Sequence, residues 1–137
     1  LDFDVDLAVE ESSQNPVYYV QYAHARICSI LKNLQAQNIQ PKDCDSQQLM
    51  LLNSSEEKEL IRKLAQCPQE IINAAKNIVH TSSTATNMAN SFQETVKIYQ
   101  QGKDEALMQA RISLCLATRV VLANLLKLLK INAPQSM

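Results

Sequence analysis

Tyr18, Gln21, Tyr22 and Arg26 lie close together in one apolar-periodic stretch, NPVYYVQYAHARICSILKNL. Aromatic rings stack on unpaired bases, amides read base edges, and a guanidinium binds phosphate. At about 100° per residue these side chains share one side of a helix with Ala25 and Ser29. Val20, Ala23, Ile27, Ile30, Leu31 and Leu34 gather on the other side as a core stripe. A helix with these two faces suits unstacked bases. The same residues also have an ordinary structural use, since Tyr often sits half-buried between helices and Arg26 could pair with a carboxylate. On residue types alone, both uses stay open.

No other grouping supports chemistry as well. Gly102 is the only glycine, so no phosphate-cradling loop exists, and neither GxSxG nor HExxH occurs. His24 and His80 fall in different helices without a Cys or carboxylate at ligand spacing, and His24, at the border of the apolar stripe, reads as a packed or rim histidine. Cys28, Cys44, Cys67 and Cys115 are far apart with no CxxC, which disfavours zinc and disulfides and suits reduced thiols in the cytosol. Asp2, Asp4 and Asp6 point to one side of an extended segment, but no loop encloses an ion there, so no metal site is assigned. Arg111, Arg119, Lys127 and Lys130 form at most a loose basic strip on the last helix, of the kind that is usually a solvated edge.

These side chains need a scaffold, and the composition specifies its class. One glycine and four prolines in 137 residues supply too few turns for a β-sandwich or a Rossmann unit, so the fold expected is all-α. Hydrophobic content of 46% with 20% charge describes a folded chain. A net charge of −1 gives no general attraction for nucleic acid, so any such contact must come from a local patch. No apolar run reaches about 18 residues, so no membrane span is expected. The start, LDFDVDLA, lacks a Met and a basic region, and reads as the cut end of a longer polypeptide rather than a signal peptide.

Along the chain, residues 1–7 alternate as a strand would, yet nothing else reads as a partner strand. Residues 1–14 are therefore read as a connector from a missing domain, and residues 15–137 as one helical domain. Asn15 and Pro16 open a helix over residues 16–37. Residues 46–52 form a short helix. Ser54 and Glu57 make a capping box for a helix to about residue 66, with Leu60, Ile61, Leu64 and Ala65 on one face. Pro68 then starts another short helix. Ala85, Met88, Ala89, Phe92, Val96 and Tyr99 keep helical spacing over residues 82–101, closed by Gly102. The last helix, residues 104–130, carries a stripe of Leu107, Ala110, Leu114, Ala117, Val121, Leu125 and Leu128. Ile112, Leu116, Leu122, Leu126 and Leu129 widen it, which marks a central bundle helix.

The string NPVYYVQYAHARI resembles the start of the C-terminal anticodon-binding (DALR-type) domain of bacterial arginyl-tRNA synthetases. So do the upstream LDFDVDLA, the downstream ARISLCLATRVVLANLLKLLKI and the tail NAPQSM, where that family usually ends in something like APERM. Three separated segments agree in order and spacing over nearly the whole chain. The resemblance implies an anticodon-binding bundle of five to six helices with an extended N-terminal arm, reading the anticodon arm of tRNA(Arg). It implies Gln21, Tyr22 and Arg26 on the helix lying against the anticodon loop, Tyr99 near the tail, and Met137 reaching the anticodon nucleotides; Tyr18 joins them from its place on the same helix face.

The resemblance also places the HIGH-like and KMSKS-like signatures, absent here, in an upstream class I catalytic domain of the same chain. That domain would use ATP with Mg, whereas this fragment would hold no cofactor or metal and be inactive alone. A cytoplasmic location is expected from the reduced thiols, with no membrane partner for want of a span and no DNA partner. Two stretches depart from the family pattern. The aromatic-rich helix of the kind HSFY is replaced by Val79-His80 and then Gln93-Glu94-Thr95-Val96, and the tail has Gln135 and Ser136 where Glu and Arg are usual. The alternative reading is a stand-alone helical module that binds protein through its leucine-rich last helix.

Overall fold

The computed structural model describes residues 16–74, 78–97 and 104–137. Five α-helices occur there: α1 (Pro16–Ala36), α2 (Ser46–Leu49), α3 (Ser55–Ala74), α4 (Ile78–Lys97) and α5 (Glu105–Leu128). The described residues contain no strand, as the scarcity of turn formers requires. The expected connector at residues 1–14, with its three aspartates, lies outside the described residues.

Both α4 and α5 pack against α1 and against α3, and also against each other, so α1 and α3 flank a central pair. The short α2 lies against α5, where the Gln48 side-chain amide donates to the Ala106 carbonyl at 3.1 Å. Val17, Val20, Ala23 and Ile27 bring the α1 stripe into a core with Leu60, Phe92, Leu122 and Leu126, all at most 1% exposed. Each large aliphatic side chain so buried contributes roughly 1.5–3 kcal/mol. By length and composition α5 could cross a membrane, against the expectation of no span. Here it packs against all four other helices, and two buried polar residues, Gln109 and Thr118, lie on its inner face.

Three elements differ from the sequence expectation for identifiable reasons. The helix opened by Ser54 does not stop before Pro68 but runs through it to Ala74. Proline removes one backbone donor, yet Glu57, Leu60 and Cys67 form a buried face leading up to it, and the packing of α3 on α4 outweighs the lost bond. Ile61 and Ala65, expected on that face, are exposed because Glu57 occupies it. This carboxylate accepts from the Ser54 hydroxyl at 2.7 Å and faces Arg111 Nε at 3.5 Å, while Glu57 N–H donates back to Ser54 Oγ at 3.1 Å. On α5, Ala117 and Leu128 are exposed rather than buried. Thr118 takes the core position instead, its hydroxyl satisfied by the Leu114 carbonyl at 2.8 Å. Finally, α4 begins at Ile78, a turn earlier than its Ser/Thr-rich start suggested.

Two helix ends place the segments that matter for the site. Asn38 (φ 62°) closes α1 and Lys130 (φ 57°) closes α5, both left-handed. In each case the following residue donates five residues back: Ile39 to Leu34 and Ile131 to Leu126, both at 2.9 Å. After Asn38 the chain turns onto α5, where the Gln109 amide bonds Gln40 O (3.0 Å) and Lys42 N–H (2.8 Å). After Lys130 the tail turns back along α1.

Candidate nucleic-acid interface

The side of α1 turned from the core carries a tyrosine cluster. Tyr18 is half-buried, while Tyr22 is 42% and Tyr19 is 48% exposed. The Tyr18 and Tyr22 rings are nearly parallel, 15° apart with centroids at 6.5 Å, and Tyr19 meets Tyr18 edge-on at 5.9 Å. Tyr19 was not among the residues expected here. It falls between the two predicted faces, and only the bundle geometry shows its ring exposed. Ala25, expected on this outer side, is instead buried.

One turn beyond Tyr22, Arg26 is half-buried and donates from Nη1 to Gln93 Oε1 on α4. An amide fixes the guanidinium without neutralising it, and Arg26 has no carboxylate partner among the described residues. Gln93 belongs to the stretch that departs from the family pattern, so its role could not be assigned from sequence.

The C-terminal tail lies on the same helix. Gln21 Nε2 donates to the Asn132 carbonyl at 3.0 Å, and His24 contacts the Pro134 carbonyl through Nδ1 at 2.8 Å. Because a carbonyl only accepts, His24 carries its proton on Nδ1. His24 is a packed histidine, as expected, and its ring anchors the tail. Met137, at the end of that tail, is 54% exposed. Thus Tyr18, Gln21, Tyr22, Arg26 and the tail bearing Met137 are assembled on one helix. The side chains of His80 and Tyr99 lie outside the described residues.

Beyond His24, the tail borders a cleft of about 620 Å³ between α1, the residue 39–41 turn and α5. Lys32 of α1, Arg119 of α5 and Gln135 and Ser136 of the tail line it, with Leu34 and Leu116 among its apolar walls. Sequence reading treated Arg119 as part of a loose strip along α5. The fold instead pairs it with Lys32 across the cleft and draws Arg111 away to the buried Glu57.

Charge segregation adds to this arrangement. Residues 16–42 and 106–137 contain no acidic side chain, while Arg26, Lys32, Arg119, Lys127 and Lys130 occur within them. These two segments supply α1, the cleft and the tail, so a chain of net charge −1 presents a locally cationic side. Among the described residues no group of three or more His, Cys, Asp or Glu is placed to hold a metal ion. Burial raises the Cys115 thiol from its ordinary 9.0 to about 12, so it stays protonated and inert at neutral pH.

Comparison with known proteins places the fold and the family. The chain is 43% identical over its whole length to arginine–tRNA ligase of Ruminiclostridium cellulolyticum and 41% identical to that of Caldanaerobacter subterraneus. It spans about a quarter (25%) of the length of each. Among solved structures, Thermus thermophilus arginyl-tRNA synthetase superposes with a TM-score of 0.75 at 26% identity, covering 100% of this chain and 24% of that one. The all-α fold and the family expected from the tyrosine-bearing helix and the tail are therefore borne out. Residues 20–137 match the model of the DALR anticodon binding domain, and the chain belongs to that family.

Proposed function

We propose that this chain binds the anticodon arm of tRNA(Arg) and orients the tRNA for arginylation by a class I catalytic domain of the same polypeptide, joined through residues 1–14. That domain would use ATP with Mg in the cytoplasm; this chain alone turns over nothing. The observation that carries the reading is the acid-free side of α1, where exposed rings, an un-neutralised guanidinium and the anchored tail come together. Tyr22, backed by Tyr18, stacks on an unpaired base. Arg26 contacts a phosphate or base edge. Gln21 holds the tail, whose Met137 lies against another base, and Tyr99 joins this set by the family likeness. The alternative, a protein-binding module using the last helix, is weakened because Leu122, Leu125 and Leu126 are at most 1% exposed.

Tyr22→Ala tests the assignment. Loss of one base–aromatic stack, roughly 1–3 kcal/mol, should weaken tRNA(Arg) binding about 5- to 150-fold with the melting temperature unchanged. Unchanged affinity with a lowered melting temperature would make Tyr22 a packing residue and contradict the proposal.

A further inference from the structure

We infer that the cleft between α1, the residue 39–41 turn and α5 takes one nucleotide of single-stranded RNA, with its phosphate between Lys32 and Arg119 and its base against the Leu34–Leu116 wall. This rests on the RNA-binding reading above and extends it to residues that reading does not use.

Four observations point the same way. The cleft volume, about 620 Å³, falls within the range of ligand sites, roughly 300–1,000 Å³. Its lining contains two cations and no carboxylate. Neither Lys32 nor Arg119 has an ion-pair or hydrogen-bond partner among the described residues, so both charges are available to an anion. The remaining lining is mixed as a nucleotide demands. Leucine side chains offer a flat apolar wall, and Gln35, Gln135 and Ser136 offer hydrogen bonds at its edge.

Position supports the same occupant. Ser29, on the cleft rim, lies seven residues along α1 from Tyr22, a rise of about 10 Å. Gln135 and Ser136 line the cleft immediately before Met137. A strand stacked on Tyr22 and passing the tail would therefore reach the cleft without leaving the cationic side. The walls are also held in place: Gln109 pins the residue 40–42 backbone from α5, and His24 pins Pro134 from α1.

The test uses the full chain with a tRNA(Arg) transcript. The double variant Lys32→Gln, Arg119→Gln is titrated over a salt series beside the unaltered chain and Tyr22→Ala. Losing the one phosphate that the two cations share, at about 0.7 per phosphate for single strands, should flatten the log K against log[salt] slope by about 0.7. In parallel, alkylation of Cys28, which lines the cleft, is followed by mass spectrometry with and without tRNA. Half-buried Cys44, outside the cleft, is the accessible control, and buried Cys67 and Cys115 report integrity.

A flattened slope together with tRNA protection of Cys28 but not Cys44 is the expected result. If Tyr22→Ala weakens binding while the double variant keeps the original slope and Cys28 stays unprotected, the cleft inference fails and the α1 assignment stands. If inorganic phosphate alone protects Cys28 as well as tRNA does, the cleft is a simple anion site and the inference is overturned. If the unaltered chain binds no tRNA, the functional proposal fails and the inference with it.

Discussion

Arg26 owes its character to the residue it touches. A guanidinium held by a carboxylate is neutralised locally; held by the Gln93 amide, it is oriented and still cationic. Gln93→Glu should therefore quench the cation while preserving its position. Weaker tRNA binding, a shallower salt dependence and an unchanged melting temperature are expected from titrations of the variant. Equal or tighter binding would mean that the Arg26 charge does not face RNA. The imidazole of His24 shows the complementary case. Its sequence surroundings identify a packed histidine, but its partner, the Pro134 carbonyl, lies 110 residues away and has no local signature. The helix periodicity that places Tyr18, Tyr22 and Arg26 on one side is local and hence readable. What each side chain touches across the bundle is not.

Among the elements, α1 was legible almost to the residue because capping, proline placement and a regular stripe agree. Misreadings occurred where a polar residue was buried. Glu57 and Thr118 are both excluded by hydrophobic counting, yet each enters the core with its polar atoms bonded, and each shifts the apparent buried face of its helix. Pro68 misled for a related reason, since local propensity says stop while tertiary packing carries α3 onward. The cleft had no sequence signal, being assembled from residues 28–41, 112–119 and 135–136.

The turn that sends the tail to α1 is an element-scale device with a measurable cost. Lys130 adopts φ 57°, a conformation that disfavours a side-chain-bearing residue by about 1–2 kcal/mol. Lys130→Gly should stabilise the chain by about 0.5–1 kcal/mol in denaturant titration, part of the relief being offset by the freedom glycine adds to the unfolded state. A clear loss of stability would mean that the lysine side chain, not the turn, holds this end.

For the whole molecule, the instructive quantity is where the charges fall, not their sum. A net charge of −1 predicts little attraction for a polyanion, but the acid-free segments supply α1 and all of the last helix after Glu105 with its tail, and the carboxylates occur elsewhere in the chain. The bundle packs α1 against α5, which turns two distant cationic segments into neighbours. The buried aliphatic faces thus have a second consequence: they set rings, cations and tail against one another.

The most direct measurement of that consequence is equilibrium titration of the chain with tRNA(Arg) and with a non-cognate tRNA, each at two salt concentrations. Both should weaken as salt rises, with tRNA(Arg) remaining at least about tenfold tighter at the higher salt, because base contacts by rings and tail persist where phosphate contacts are screened. Equal affinities with the same salt slope, or no binding of either RNA, would contradict the assignment of this side of α1 to anticodon recognition.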